Sequence, residues 1–158
     1  GLTDENAKIN ALVEEGYIPP IHDFTISTLD GTDITDIILE REKPTFLLVA
    51  YDLKKASGKN VEDINNLANF ALQQDVNSFI CLTASLDKTI KRYRAITTAP
   101  YKFYHTDETT LKTIVRSNPG LLLIKNGTIL DKWHHNDIPS PEEVKKEYYN
   151  MPTLKENQ

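Results

Sequence analysis

Three sets of side chains in this sequence could do chemistry: a lone cysteine, a paired-histidine segment and a polar loop behind an apolar run. Cys81 is the only cysteine among 158 residues, so no internal disulfide can form. It lies in Phe79-Ile80-Cys81-Leu82, where a small buried hydrophobe is the default reading. Trp133-His134-His135-Asn136-Asp137 is the densest polar-aromatic segment. On a strand, His134 and His135 would point to opposite faces and could not readily share one metal ion. His105, Asp107 or Asp137 could complete a site only if the fold brings them near, so a structural or loop-capping role is preferred. The loop Tyr51-Asp52-Leu53-Lys54-Lys55-Ala56-Ser57-Gly58-Lys59-Asn60 holds Ser57 but no Gly-x-Ser-x-Gly frame. Its Gly58-Lys59 pair lacks the upstream glycine and following hydroxyl of a phosphate loop. Asp23, Asp30, Asp33 and Asp36 crowd one stretch but lack the glycine and closing glutamate of a calcium loop, so they read as turn formers. His22 reads as exposed or capping a turn. No metal or cofactor site follows from any of these.

Composition narrows the partners. The net charge is -5, with 39% hydrophobic and 26% charged residues, as in an ordinary soluble domain. Dispersed lysines and an acidic total argue against nucleic acid, which usually requires a basic face. Tyr101, Phe103 and Tyr104 around Lys102 could stack bases, but an edge strand with alternating aromatics suits an acidic chain better. No apolar run approaches the roughly 20 residues that cross a bilayer, so this stretch is not expected to insert directly. The chain opens at Gly1-Leu2 without a methionine and reads as a piece excised from a longer protein.

The elements that must position these residues alternate. Thr3-Asp4-Glu5 starts a leader helix with Ile9, Leu12 and Val13 on one stripe, ended by Pro19-Pro20. Phe24 to Leu29 and Asp33-Ile34-Thr35 predict a β-hairpin around Asp30-Gly31, and Ile37 to Leu39 a helical turn. Thr45 to Tyr51 is apolar enough for a central strand covered on both faces. Val61, Ile64, Leu67, Ala68, Ala71 and Leu72 repeat at helical spacing. Ser78 to Thr83 is a second buried strand, after which Ser85 caps a helix through Ile90, Tyr93 and Ile96. A short extended piece at Tyr101 to His105 follows, then a helix from Asp107-Glu108 with Leu111, Ile114 and Val115 inward. Leu121 to Ile124 and Thr128 to Trp133 pair across Asn126-Gly127, a type I′ turn. Ser140-Pro141-Glu142-Glu143 opens a last helix docked by Val144 and Tyr148. Alternating strands and helices with a closing hairpin predict an α/β sandwich with a central mixed sheet flanked by helices. Residues 1–20 read as leader and linker, 21–150 as the domain and 151–158 as a tail.

Three segments resemble thioredoxin-like proteins of the TlpA and peroxiredoxin type. Phe24 to Ile34 resembles their opening hairpin, and Phe46 to Tyr51 with the Ile64-to-Ala71 helix resembles the elements that bracket their active site. Asn118-Pro119-Gly120 through Lys125-Asn126-Gly127 resembles their cis-proline strand and hairpin. The resemblance makes Pro119 the cis residue, an isomer that X-Pro bonds adopt at a cost of only about 0.5–1 kcal/mol; an ordinary trans turn is the alternative. It also implies a Cys-x-x-Cys pair facing that proline. Those two positions fall on Lys54 and Ser57, or on Lys55 and Gly58 with a slip of one, and neither pair can cycle between dithiol and disulfide. Leu47 to Leu53, Cys81 to Ser85, Arg116 to Gly127 and Lys132 to Asp137 further resemble the C-terminal domain of DoxX-type integral membrane proteins of Bacteroides-like bacteria.

The resemblance implies a redox-inactive thioredoxin-like binding or regulatory domain, a soluble appendage of a membrane protein with the periplasmic side favoured. A groove with Asn118 and Pro119 as one wall and Asp52, Lys54, Lys55 and Ser57 as the other would take a peptide, or the protein's own upstream membrane portion, by strand addition. The rival reading is a thiol-disulfide or quinone-linked enzyme component that uses Cys81 or a partner's cysteine. A purely structural appendage is the third.

Overall fold

The computed structural model describes residues 25–149, and its centre is strand β1 (Thr45–Val49), whose five residues are all buried. Side chains on a strand face alternate sides, so an apolar run without polar interruptions must be covered on both. β1 pairs in parallel with β2 (Phe79–Thr83) and antiparallel with β4 (Gly120–Lys125). β3 (Lys102–His105) extends the parallel side and β5 (Thr128–His134) the antiparallel side, giving the order β3-β2-β1-β4-β5. The expected leader helix, Pro19-Pro20, His22, Asp23 and the tail lie outside the described residues.

Alternation along β1 sorts the core into two layers. Phe46 and Leu48 face helices α2 (Val61–Gln74), α3 (Asp87–Thr97) and α5 (Pro141–Tyr148), which contribute Ile64, Leu67, Ile90 and Val144. Leu47 and Val49 face α1 (Thr35–Leu39) and α4 (Glu108–Ile114) through Ile38 and Leu111. Phe46 packs between Phe79 and Trp133, with ring centroids 5.8 and 6.2 Å away. Tyr101 and Phe103 are buried beside Phe79, so these aromatics are core and not a platform for bases.

Several sequence expectations need correction. Among the described residues, which exclude Phe24, the opening hairpin shrinks to a reversal closed by one bridge, Ser27 to Asp33. Its ladder stops because the Thr35 hydroxyl, not a backbone carbonyl, accepts the Ile26 N–H at 2.8 Å. Asp30 and Asp33 are turn formers, as expected, and hydrogen bonds from Thr28, Thr32 and Thr35 hold both carboxyls below their usual range. Ser85 does not cap α3, whose N-cap is Leu86 without a side-chain bond. The Ser85 hydroxyl is taken by the Leu53 N–H at 3.0 Å and so ties two loops together. Ile96 is 72% exposed, because it stands about 120° round the helix from buried Ile90.

The chain's other end follows its sequence closely. Asn126 and Gly127 have φ of 52° and 74°, the left-handed pair that a type I′ turn requires. On α5 the Ser140 hydroxyl accepts the Glu143 N–H at 3.2 Å while the Glu143 carboxylate accepts the Ser140 N–H at 3.4 Å, completing a capping box. Ser140→Ala should lower stability by about 1 kcal/mol in a urea melt, with the slope of the transition unchanged.

Candidate functional site

The chain leaves β1 into the loop of residues 51–60 and re-enters regular structure at Val61. In this loop Asp52 is the knot. Its carboxylate accepts the Lys54 N–H at 3.0 Å, and its carbonyl accepts both the Lys55 N–H at 3.2 Å and the Asn118 side-chain amide at 2.8 Å. One step on, the Ser57 N–H donates to the Asn118 carbonyl at 2.9 Å. The Asn118–Pro119 bond is cis and Pro119 is buried.

The fold therefore brings Asp52, Lys54, Lys55, Ser57, Asn118 and Pro119 to one corner, but as a stitched wall. The two sides expected to flank a groove are hydrogen-bonded to each other. The Asn118 carbonyl that an added strand would use is occupied, and its Oδ1 is buried without a partner among the described residues. Lys54, Ser57, Lys55 and Gly58 also fall before the first turn of α2, not on it. A group there lacks the helix-terminal N–H donors that lower a thiol's pKa. The lone thiol is elsewhere: Cys81 is fully buried on interior strand β2, and burial pushes its pKa up.

The histidine pair departs from expectation. β5 ends at His134, and residues 135–137 turn into a 3₁₀ helix, so the two imidazoles lie side by side with centroids 4.2 Å apart. His134 Nδ1 accepts the Asn136 N–H at 3.1 Å, and Asn60 bridges to His135 Nδ1 at 3.3 Å and Asn136 Oδ1 at 3.1 Å. The segment thus pins the start of α2, a loop-capping role. No group of three or more His, Cys, Asp or Glu suited to a metal occurs among the described residues. Burial, then His134 and Lys59, depress the His135 pKa. A depressed histidine contributes stability that is present above its unfolded value of about 6.5 and is lost as pH falls through the folded value. An NMR titration should place the His135 midpoint below 6.5, and a midpoint above it would contradict this packing.

One feature was missed from sequence: a trough of about 630 Å³ between α3 and the Leu53-Lys54 turn. Leu86 and Ile96, off the buried stripe of α3 yet large and apolar, were the available signal.

With this geometry in place, comparison with solved structures identifies the fold. A thiol:disulfide interchange protein from Bacteroides sp. superposes with a TM-score of 0.60 at 12% identity, over 90% of this chain and 93% of its own. A secreted disulfide oxidoreductase of Mycobacterium tuberculosis gives 0.57 at 15% identity, over 82% and 96%. BsSco, of the Sco family of cytochrome c oxidase assembly proteins, gives 0.58 at 9%, over 88% and 95%. At these identities the likeness is one of fold, and the fold is thioredoxin-like. No family model matches the sequence, and there is no significant match among curated proteins.

Proposed function

We propose that this chain is a redox-inactive thioredoxin-like domain that works by binding, as a soluble appendage of a DoxX-like membrane protein on its periplasmic side. One observation carries the reading: the corner that would hold a dithiol contains no sulfur and is closed by the Ser57–Asn118 backbone bond. The rival, a redox component acting through Cys81, needs an accessible thiolate, and Cys81 is both buried and raised in pKa. No helix among the described residues is long and apolar enough to cross a membrane, so membrane attachment in this reading comes from an upstream portion.

The partner is a protein or peptide, including that upstream portion, and it meets the exposed rim of the 51–60 loop. Strand addition at Asn118 would first have to displace Ser57, so side chains such as Lys54 and Lys55 are the better handles. Insulin reduction by the purified chain tests the redox half. No turnover is expected; turnover lost in Cys81→Ala would establish the rival, and turnover that survives it would reveal another redox centre, so either would refute inactivity. A pulldown comparing the intact domain with Lys54→Glu and Asn118→Ala tests the binding half. Equal recovery of partner by all three would count against this face.

A further inference from the structure

We infer that the trough between α3 and the Leu53-Lys54 turn docks an acidic, amphipathic helical segment of a partner protein. The inference rests on the reading of this domain as a binding module and names the surface and the chemistry it takes. α3 carries Lys88, Lys91, Arg92 and Arg94 against one acid, Asp87, within a chain whose net charge is -5. Asp87 faces His105 at 3.6 Å, and Arg94 lies over the Phe103 ring at 5.1 Å. Lys88, Lys91 and Arg92 have no carboxylate within ion-pair distance among the described residues. Lys88 and Arg92, four residues apart on one wall, oppose Lys54 on the other.

The interior of the trough is apolar. Buried Leu53 and half-buried Tyr93 form its floor, while Leu86 and Ile96, 77% and 72% exposed, mark its two ends. Ile96 lies ten residues beyond Leu86, the helix N-cap, a span of about 15 Å or some three turns. Apolar anchors spaced over three turns with charges alongside are the pattern that receives a helix of opposite charge. A bilayer is a poorer fit, because a flat surface would touch the rim and leave the concave floor empty. A smaller hollow of about 240 Å³ shares Lys54, Leu86 and Thr89 with the trough and continues to Asp52 and Glu108, so the trough lies beside the Asp52-Lys54 side of the thiol-free corner.

The test uses the full chain, isotopically labelled, and a synthetic helical peptide with leucines spaced three and four residues apart and glutamates on both flanks. A twin peptide carries lysine for every glutamate. The acidic peptide should shift amide resonances of α3 and the Leu53-Lys54 turn. Lys88→Glu/Arg92→Glu should weaken it at least about tenfold and should bind the lysine twin instead. Leu86→Ser should weaken it with charge unchanged. These side chains are exposed, so melting curves should confirm that each variant is folded. Shifts elsewhere, no shifts, or equal affinity for both peptides would overturn the inference. So would phosphatidylglycerol vesicles binding in place of the peptide. Failure here with insulin still unreduced removes the docking site alone, whereas insulin turnover removes the binding-module reading beneath it.

Discussion

Gly120→Ala is expected to destabilise the domain by about 1–3 kcal/mol, although it adds a single methyl group. A Cβ built on Gly120 would stand 2.8 Å from Val115 Cβ, 2.9 Å from Val115 Cγ1 and 3.0 Å from the Ser117 hydroxyl. Carbon atoms do not approach so closely, and the atom in the way is a Cβ that cannot swing aside. Val115 is 2% exposed and ends α4, while Gly120 opens β4 opposite Val49. Relief therefore requires moving α4 off the sheet or β4 off β1. For a domain of this size each kcal/mol lowers Tm by a few degrees. In a Val115→Ala background the same substitution should cost less, because the clash partner is trimmed, and the difference is a coupling energy. A melt superimposable on the parent's would show that the α4–β4 junction shifts to admit a methyl.

A thiol reagent should label Cys81 in the native protein at least about a thousandfold more slowly than in the urea-unfolded chain. Cys81 sits on β2, flanked by β1 and β3 and roofed by α2 and α3, so no single loop movement uncovers it. Reaction must wait for the sheet to open, and its rate should follow global stability. The raised pKa adds to the protection by keeping the thiol protonated. Labelling within tenfold of the unfolded rate would expose a route to the sulfur and revive the redox reading.

Most of the fold was legible because each signal was local. The run Thr45 to Val49, the stripe Ile64 to Ala71, the Asn126-Gly127 turn and the Ser140 capping box each decide their conformation from near neighbours. What failed depended on distant ones. Ser85 carries the sequence mark of a cap, yet its hydroxyl serves Leu53, 32 residues away. The His134–His135 expectation assumed that β5 continued, and Asn60 holds the turn that ends it. The candidate site was half legible: its six residues do converge. That their backbone groups would consume one another could not be read from residue types, because hydrogen-bond pairing across 66 residues is fixed only by the packed sheet.

The tip of the β4–β5 hairpin has a practical implication. Tight turns are usually the safest places to splice in a tag or open a new terminus. Here the Asn126 N–H donates to the Arg41 carbonyl at 2.8 Å and the Gly127 N–H to the Leu39 carbonyl at 2.7 Å. The turn is thus a clasp on the segment leading into the central strand, and lengthening it would undo both bonds. An engineer seeking a permissive insertion point should leave this hairpin intact, because its backbone donors are committed to the Leu39 and Arg41 carbonyls.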